Sequence, residues 1–106
     1  MKKGDVYWIE LKEDGSVQGK CRPCIILRKN GSVCTIIPLT TKFKRMDLLS
    51  HCEVSYVDLY GRVSVSNCLM EQLTTVDLKH FKRPCGVVEE KSMEIINDRL
   101  KLLLCS

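Results

Sequence analysis

Two short motifs carry the residues best suited to chemistry. In GKCRPC, Arg22 immediately precedes Pro23, and in PLTTKFKR, Thr40 and Thr41 are followed by Lys42, Lys44 and Arg45. A proline biases the residue before it toward extended backbone, so the Arg22 guanidinium leaves from the start of a strand, a rigid base. Hydroxyls beside cations at a strand end can hold a phosphate, with a planar guanidinium as bidentate partner and the lysines as point charges along a nucleic-acid backbone. The chemistry on offer is therefore phosphate or RNA binding. The lysines alone fit a solvated basic loop behind an edge strand equally well; Arg22 is the residue that separates the two readings.

Other reactive side chains point elsewhere. CRPC, Cys21 to Cys24, has CxxC spacing, but a zinc site needs four ligands and no second CxxC or HxxxH pair answers it. The seven cysteines, at 21, 24, 34, 52, 68, 85 and 105, are odd in number and scattered. Most stand in apolar runs, where cysteine behaves as a small hydrophobe. Reduced core thiols are expected, with no metal and no cofactor. His51 starts a strand-like run and His80 ends a helical turn, and both are expected to be structural or surface residues. Tyr7 and Trp8 must face opposite ways in an extended segment, so one of them belongs to a core and neither stands out as a stacking platform.

The elements that position Arg22 and Thr40 follow from short apolar runs. DVYWIEL (5–11), PCIILRK and VCTIIPL are rich in β-branched and aromatic residues and bounded by Gly, Asn and Pro. The Asn30-Gly31 pair suits a type I′ hairpin turn, which pairs residues 23–28 with 33–37 antiparallel. HCEVSYV and RVSVSNCLM add two strand-like segments around Gly61. Five short strands with tight turns point to a small barrel. TVDLKHF reads as a single helical turn. EEKSMEIINDRLKLLLCS places Met93, Ile96, Leu100 and Leu103 at helical spacings, while Ile95, Leu102 and Leu104 widen the stripe so that the helix can pack on its own barrel and also on another subunit. The loop from Lys12 to Cys21, about ten residues, is longer than a hairpin needs, and such loops are disproportionately functional.

The 106 residues suit a single domain, 1–106, and the charge of +4 modestly favours an anionic partner. No apolar run approaches the roughly 20 residues of a membrane-spanning helix. MKKGDVYWIEL breaks its apolar stretch with Asp5 and Glu10 and lacks a small-residue cleavage site, so it reads as a first strand rather than a signal peptide, and a cytoplasmic location is expected.

The segments KKGDVYWIEL, GSVQGKCRP, CIILRKN, PLTTK, HCEV and EQLTTVD resemble, in order and spacing, the MazF/PemK-type toxins, across nearly the whole chain. The resemblance implies a mainly β, α+β fold: a small SH3-like barrel of the MazF/PemK/CcdB type with an amphipathic C-terminal helix. It further implies a homodimeric, metal-independent endoribonuclease that cuts single-stranded RNA at short sequences, leaving a cyclic phosphate and a 5′-hydroxyl. Arg22 and Thr40 match the family's catalytic arginine and threonine. Ser16, Gln18, Lys42 and Gln72 are the expected RNA contacts. The expected partner is a cognate antitoxin with a disordered acidic tail. Val17 replaces the acidic residue usual in the first loop, and Thr74 stands where relatives often carry a basic residue; both bear on specificity and antitoxin contacts. The competing reading is a CcdB-like barrel that poisons a protein target such as DNA gyrase, or an inactive interaction module, although the CcdB-type relatives lack the paired Arg-Pro and threonine motifs.

Overall fold

The short apolar runs become seven strands in a computed structural model that describes residues 1–11 and 20–105. They are β1 (Asp5–Leu11), β2 (Lys20–Asn30), β3 (Val33–Thr40), β4 (His51–Asp58), β5 (Val63–Leu69), β6 (Thr74–Asp77) and β7 (Phe81–Val88), followed by helix α1 (Glu90–Leu104). Single 3₁₀ turns occupy Met70–Gln72 and Leu78–His80. Every pairing is antiparallel. The strand order β2-β1-β7-β4-β5-β3 closes on itself through β2–β3, and β6 adds to the first half of β3. This is the small barrel expected, with two strands more than the five read from the sequence.

Apolar runs without clean alternation are explained by burial on both faces. Successive residues of β1 to β3 enter two different cores: Val6, Ile25, Ile37 and Leu39 pack in one, and Ile9, Cys24, Ile26 and Ile36 in the other. The first is capped by α1, where Ile96 is fully buried and Met93, Leu100 and Leu103 pack beside it. Burying an isoleucine fully is worth about 2–3 kcal/mol. The second is covered by Val76, Leu78 and Phe81. Ile95, Leu102 and Leu104 remain exposed on the outer side of α1.

Two local readings are corrected. Asn30 pairs with Val33, so the hairpin turn contains only Gly31 and Ser32. Gly31 has φ of 63° and Ser32 has no positive φ, the sign pattern of a glycine-led II′ turn rather than an Asn-Gly I′ turn. TVDLKHF contains the expected turn only at Leu78–His80; before it lies β6 and after it β7. Pro84 and Gly86 hide β7 in the sequence, because both disfavour strands. Register shifts against β1 between Val6/Tyr7 and Trp8/Ile9 accommodate them.

Candidate active site

The arginine and the threonine line one cleft because one hairpin splays open. Along β2–β3 the pairs Ile26↔Ile36, Ile25↔Ile37 and Cys24↔Pro38 run in constant register. Continuing that register by two residues sets Arg22 opposite Thr40. There the ladder has ended: β2 stays with β1 through Arg22↔Ile9 and Pro23↔Trp8, while β3 turns to β5 through Leu39↔Cys68 and Thr40↔Asn67. Pro23 lacks an N–H, and this unpaired side of β2 is where a strand tolerates the loss. A cleft of about 260 Å³ fills the divergence, walled by Trp8, Arg22, Pro23, Thr40, Thr41 and Tyr56. Arg22, half-buried, also borders a second cleft of about 600 Å³ with Glu10, Gln72, Thr74, Asp77 and His80.

Thr40 is held in a defined state. Its Oγ1 accepts the Lys42 N–H at 3.2 Å, which commits a lone pair and leaves the hydroxyl proton to be donated elsewhere. Asn67, with 1% of its surface exposed, donates from Nδ2 to the Lys42 carbonyl at 3.2 Å. The turn that leaves Thr40 is thus tied at both polar groups of the Lys42 backbone. The Asn67 Oδ1 is buried without a partner among the described residues.

His51 organises the neighbourhood without entering either cleft. It is buried at the start of β4, with Nδ1 2.8 Å from the Lys44 carbonyl and Nε2 2.6 Å from Glu71 Oε1. Both neighbours can only accept, so the ring satisfies them together only as the doubly protonated imidazolium. The Glu71 hydrogen bond first, and the Lys44 carbonyl second, raise the His51 pKa. Partial burial pushes Glu71 up, but the hydrogen bond from His51, supported by its backbone bond and the ring's charge, leaves the carboxyl below its ordinary value. The pair fastens the segment after Thr40 to the 3₁₀ turn that carries Gln72. Arg99 of α1 donates to the Leu49 and His51 carbonyls and secures the same segment from the helix.

Of the residues singled out in the sequence, Arg22 and Thr40 share the smaller cleft, and Gln72 shares the larger one with Arg22. Lys42 is exposed on the tied turn and walls neither. Ser16 and Gln18, like Val17, lie outside the described residues. His51 is structural, as expected, whereas His80 stands beside Gln72 in the larger cleft. Cys21 is exposed and Cys24 buried; three residues apart on one strand, they point to opposite faces and cannot ligate one ion together. Sequence reasoning weighed Trp8 only as a core candidate and missed Tyr56 and Asn67. An asparagine directly ahead of the apolar stretch Cys68–Met70 was the one legible signal among them.

Comparison with known proteins places this geometry in context. Residues 2–104 match the family of PemK-like, MazF-like toxins of type II toxin-antitoxin systems. The endoribonuclease MazF of Staphylococcus saprophyticus is 26% identical over 98% of this chain and 91% of its own length. The endoribonuclease EndoA of Bacillus subtilis is 24% identical over 98% and 94%. Among solved structures, a mycobacterial endoribonuclease in complex with its cognate antitoxin superposes with a TM-score of 0.63 at 18% identity, covering 96% of this chain and 90% of that one, a likeness of fold. With the family matched from residue 2 to residue 104, this chain belongs to the PemK-like, MazF-like toxins of type II toxin-antitoxin systems.

Proposed function

We propose that the protein is a sequence-specific, metal-independent endoribonuclease toxin that cleaves single-stranded RNA. The observation that carries the reading is that Arg22 and Thr40 wall one cleft at the splayed end of the β2–β3 hairpin. The ribose 2′-oxygen attacks the adjacent phosphorus, the P–O5′ bond breaks, and the products are a 2′,3′-cyclic phosphate and a 5′-hydroxyl. The 2′-hydroxyl gives its proton to solvent and O5′ takes one up. Negative charge grows on the nonbridging oxygens in between. The Arg22 guanidinium stabilises that charge, and the Thr40 hydroxyl, already an acceptor for Lys42, donates to a phosphoryl oxygen. Preorganised donors of this kind are worth about 3 kcal/mol each. A fixed cation and a hydroxyl supply this stabilisation from the chain itself, which is the basis for proposing catalysis without a Lewis acid.

Gln72, across the larger cleft from the scissile position, contacts the RNA, as do Lys42 and, from the first loop, Ser16 and Gln18. The protein works in the cytoplasm as a homodimer, its exposed Ile95, Leu102 and Leu104 facing the second copy. A cognate antitoxin with a disordered acidic tail neutralises it; the charge of +4 supports an acidic partner. The mycobacterial neighbour was solved in complex with its own cognate antitoxin.

The test is incubation of the purified protein with long single-stranded RNA in EDTA. Cleavage is expected, with 5′-hydroxyl ends. Arg22→Ala and Thr40→Ala should each slow cleavage by about 10²–10³-fold while retaining the wild-type circular dichroism spectrum. Intact RNA with wild-type dimer would refute the activity, and undiminished cutting by either variant would refute its assigned role.

A further inference from the structure

Trp8 and Tyr56 each wall two clefts. One side of them is the Arg22–Thr40 cleft; the other is a cleft of about 610 Å³ bordered by Trp8, Tyr56, Tyr60, Ser64, Arg83 and Pro84. Trp8 sits between Pro23 and Arg83 in the sheet register, so a path from the scissile position into this second cleft crosses one tryptophan.

Three features give the second cleft the chemistry of a nucleobase. The Arg83 guanidinium carbon lies 5.5 Å from the centroid of the Trp8 ring, a cation–π arrangement. Arg83 is itself exposed, so its planar group, backed by the indole, offers an outer face for stacking. Tyr60 has 87% of its surface exposed on the β4–β5 turn, yet that turn is not loose: Asp58 Oδ1 accepts the N–H groups of Tyr60 at 2.8 Å and Arg62 at 2.9 Å, and Gly61 supplies the φ of 81°. A largely exposed aromatic ring on a tied turn, lining the same cleft as a supported guanidinium, offers the kind of stacking surface with which proteins hold splayed single-stranded bases.

We propose that the Trp8–Arg83–Tyr60 cleft is a nucleotide subsite, holding the base next to the scissile phosphodiester against the Arg83 plane and the Tyr60 ring. The assignment rests on the ribonuclease reading and deepens it. Stacking accepts any base, so the subsite contributes affinity and register, while discrimination between bases falls to the polar groups of the cleft that holds Arg22 and Gln72.

Trp8 is the sole tryptophan, so its emission reports directly on this cleft. The probes are 2′-O-methyl single-stranded oligonucleotides, four homopolymers and a mixed-sequence pool, in which the attacking hydroxyl is blocked. Binding is followed by fluorescein anisotropy and, with unlabelled probes, by Trp8 emission. Both signals should saturate together. Arg83→Ala and Tyr60→Ala should each weaken binding about tenfold with unchanged urea midpoints, and Arg83→Lys, which keeps the charge and loses the plane, should not restore it. RNA binding with flat Trp8 emission, or wild-type affinity in both alanine variants, would overturn the subsite and leave the ribonuclease standing. Neither binding nor cleavage of RNA would remove both. Trp8 emission that follows protein concentration in step with self-association would give the cleft to a second copy. A response to polyglutamate and not to RNA would give it to an acidic peptide; both overturn the proposal.

Discussion

His51 shows how a residue outside the clefts governs their walls. Its ring bridges a carbonyl and a carboxylate, and its folded-state pKa lies above the unfolded value of about 6.5. The stabilisation is therefore fully present below about pH 6.5 and is lost as the pH rises through the raised value. Glu71 sets the other limit: its pKa is lowered, so its share is lost as the pH falls through that depressed value. Urea unfolding across this range should show wild-type stability falling on the alkaline side, and His51→Gln should flatten that slope while costing about 1 kcal/mol at pH 6, since Glu71 is 44% exposed and screened by solvent. An unchanged slope would mean that His51 does not bridge the two elements. The histidine's place at the head of a strand was legible in the sequence; its two partners, 7 and 20 residues away, were not, because hydrogen bonds between loops leave no periodic trace.

Among the elements, β7 is the one whose sequence argues against its structure. Phe81–Val88 contains Pro84 and Gly86, yet it bridges β1 and β4 and completes the barrel wall. Gly86 is required by close approach. A Cβ built there would stand 2.3 Å from the Val57 carbonyl oxygen and 3.0 Å from its carbon, both backbone atoms that cannot swing aside. Gly86→Ala should therefore lower stability by about 3 kcal/mol, the upper end of ordinary overpacking, as read from the urea midpoint. A loss below about 0.5 kcal/mol would show that β4 and β7 separate readily. Strands with local partners were legible: β2 and β3 announce themselves by apolar runs on either side of a glycine turn. β6 and β7 were not, since their pairings with β3 and β1 join distant residues and their own composition is polar or strand-averse.

Taken whole, the molecule buries five of its seven free thiols. Only Cys21 and Cys105 are exposed. Desolvation pushes the Cys24 thiol up to about 12 even with Arg22 drawing it down, so burial denies it both access and ionisation. Native alkylation with iodoacetamide should add two groups, at Cys21 and Cys105, and the remaining five should react only in denaturant; native labelling of Cys24 would contradict the core. That cysteines serve here as small hydrophobes was readable from the apolar runs that contain them. A barrel was readable too, but not the β1–β7 pairing that shuts it, because Asp5 meets Val87 through no motif at all.

The splayed hairpin also sets an order in time. Arg22 and Thr40 lie on the arms of a hairpin closed at Gly31–Ser32, a contact local in sequence that forms in roughly microseconds, and Ile9 of β1 and Asn67 of β5 then fix the two splayed ends. Arg83 reaches Trp8 only after residues 81–88 have been made and the ring has shut. On the ribosome, the two residues proposed for cleavage can be set on one cleft while the strand that completes the proposed stacking cleft is still unsynthesised, so the nascent chain would acquire that arrangement before its grip.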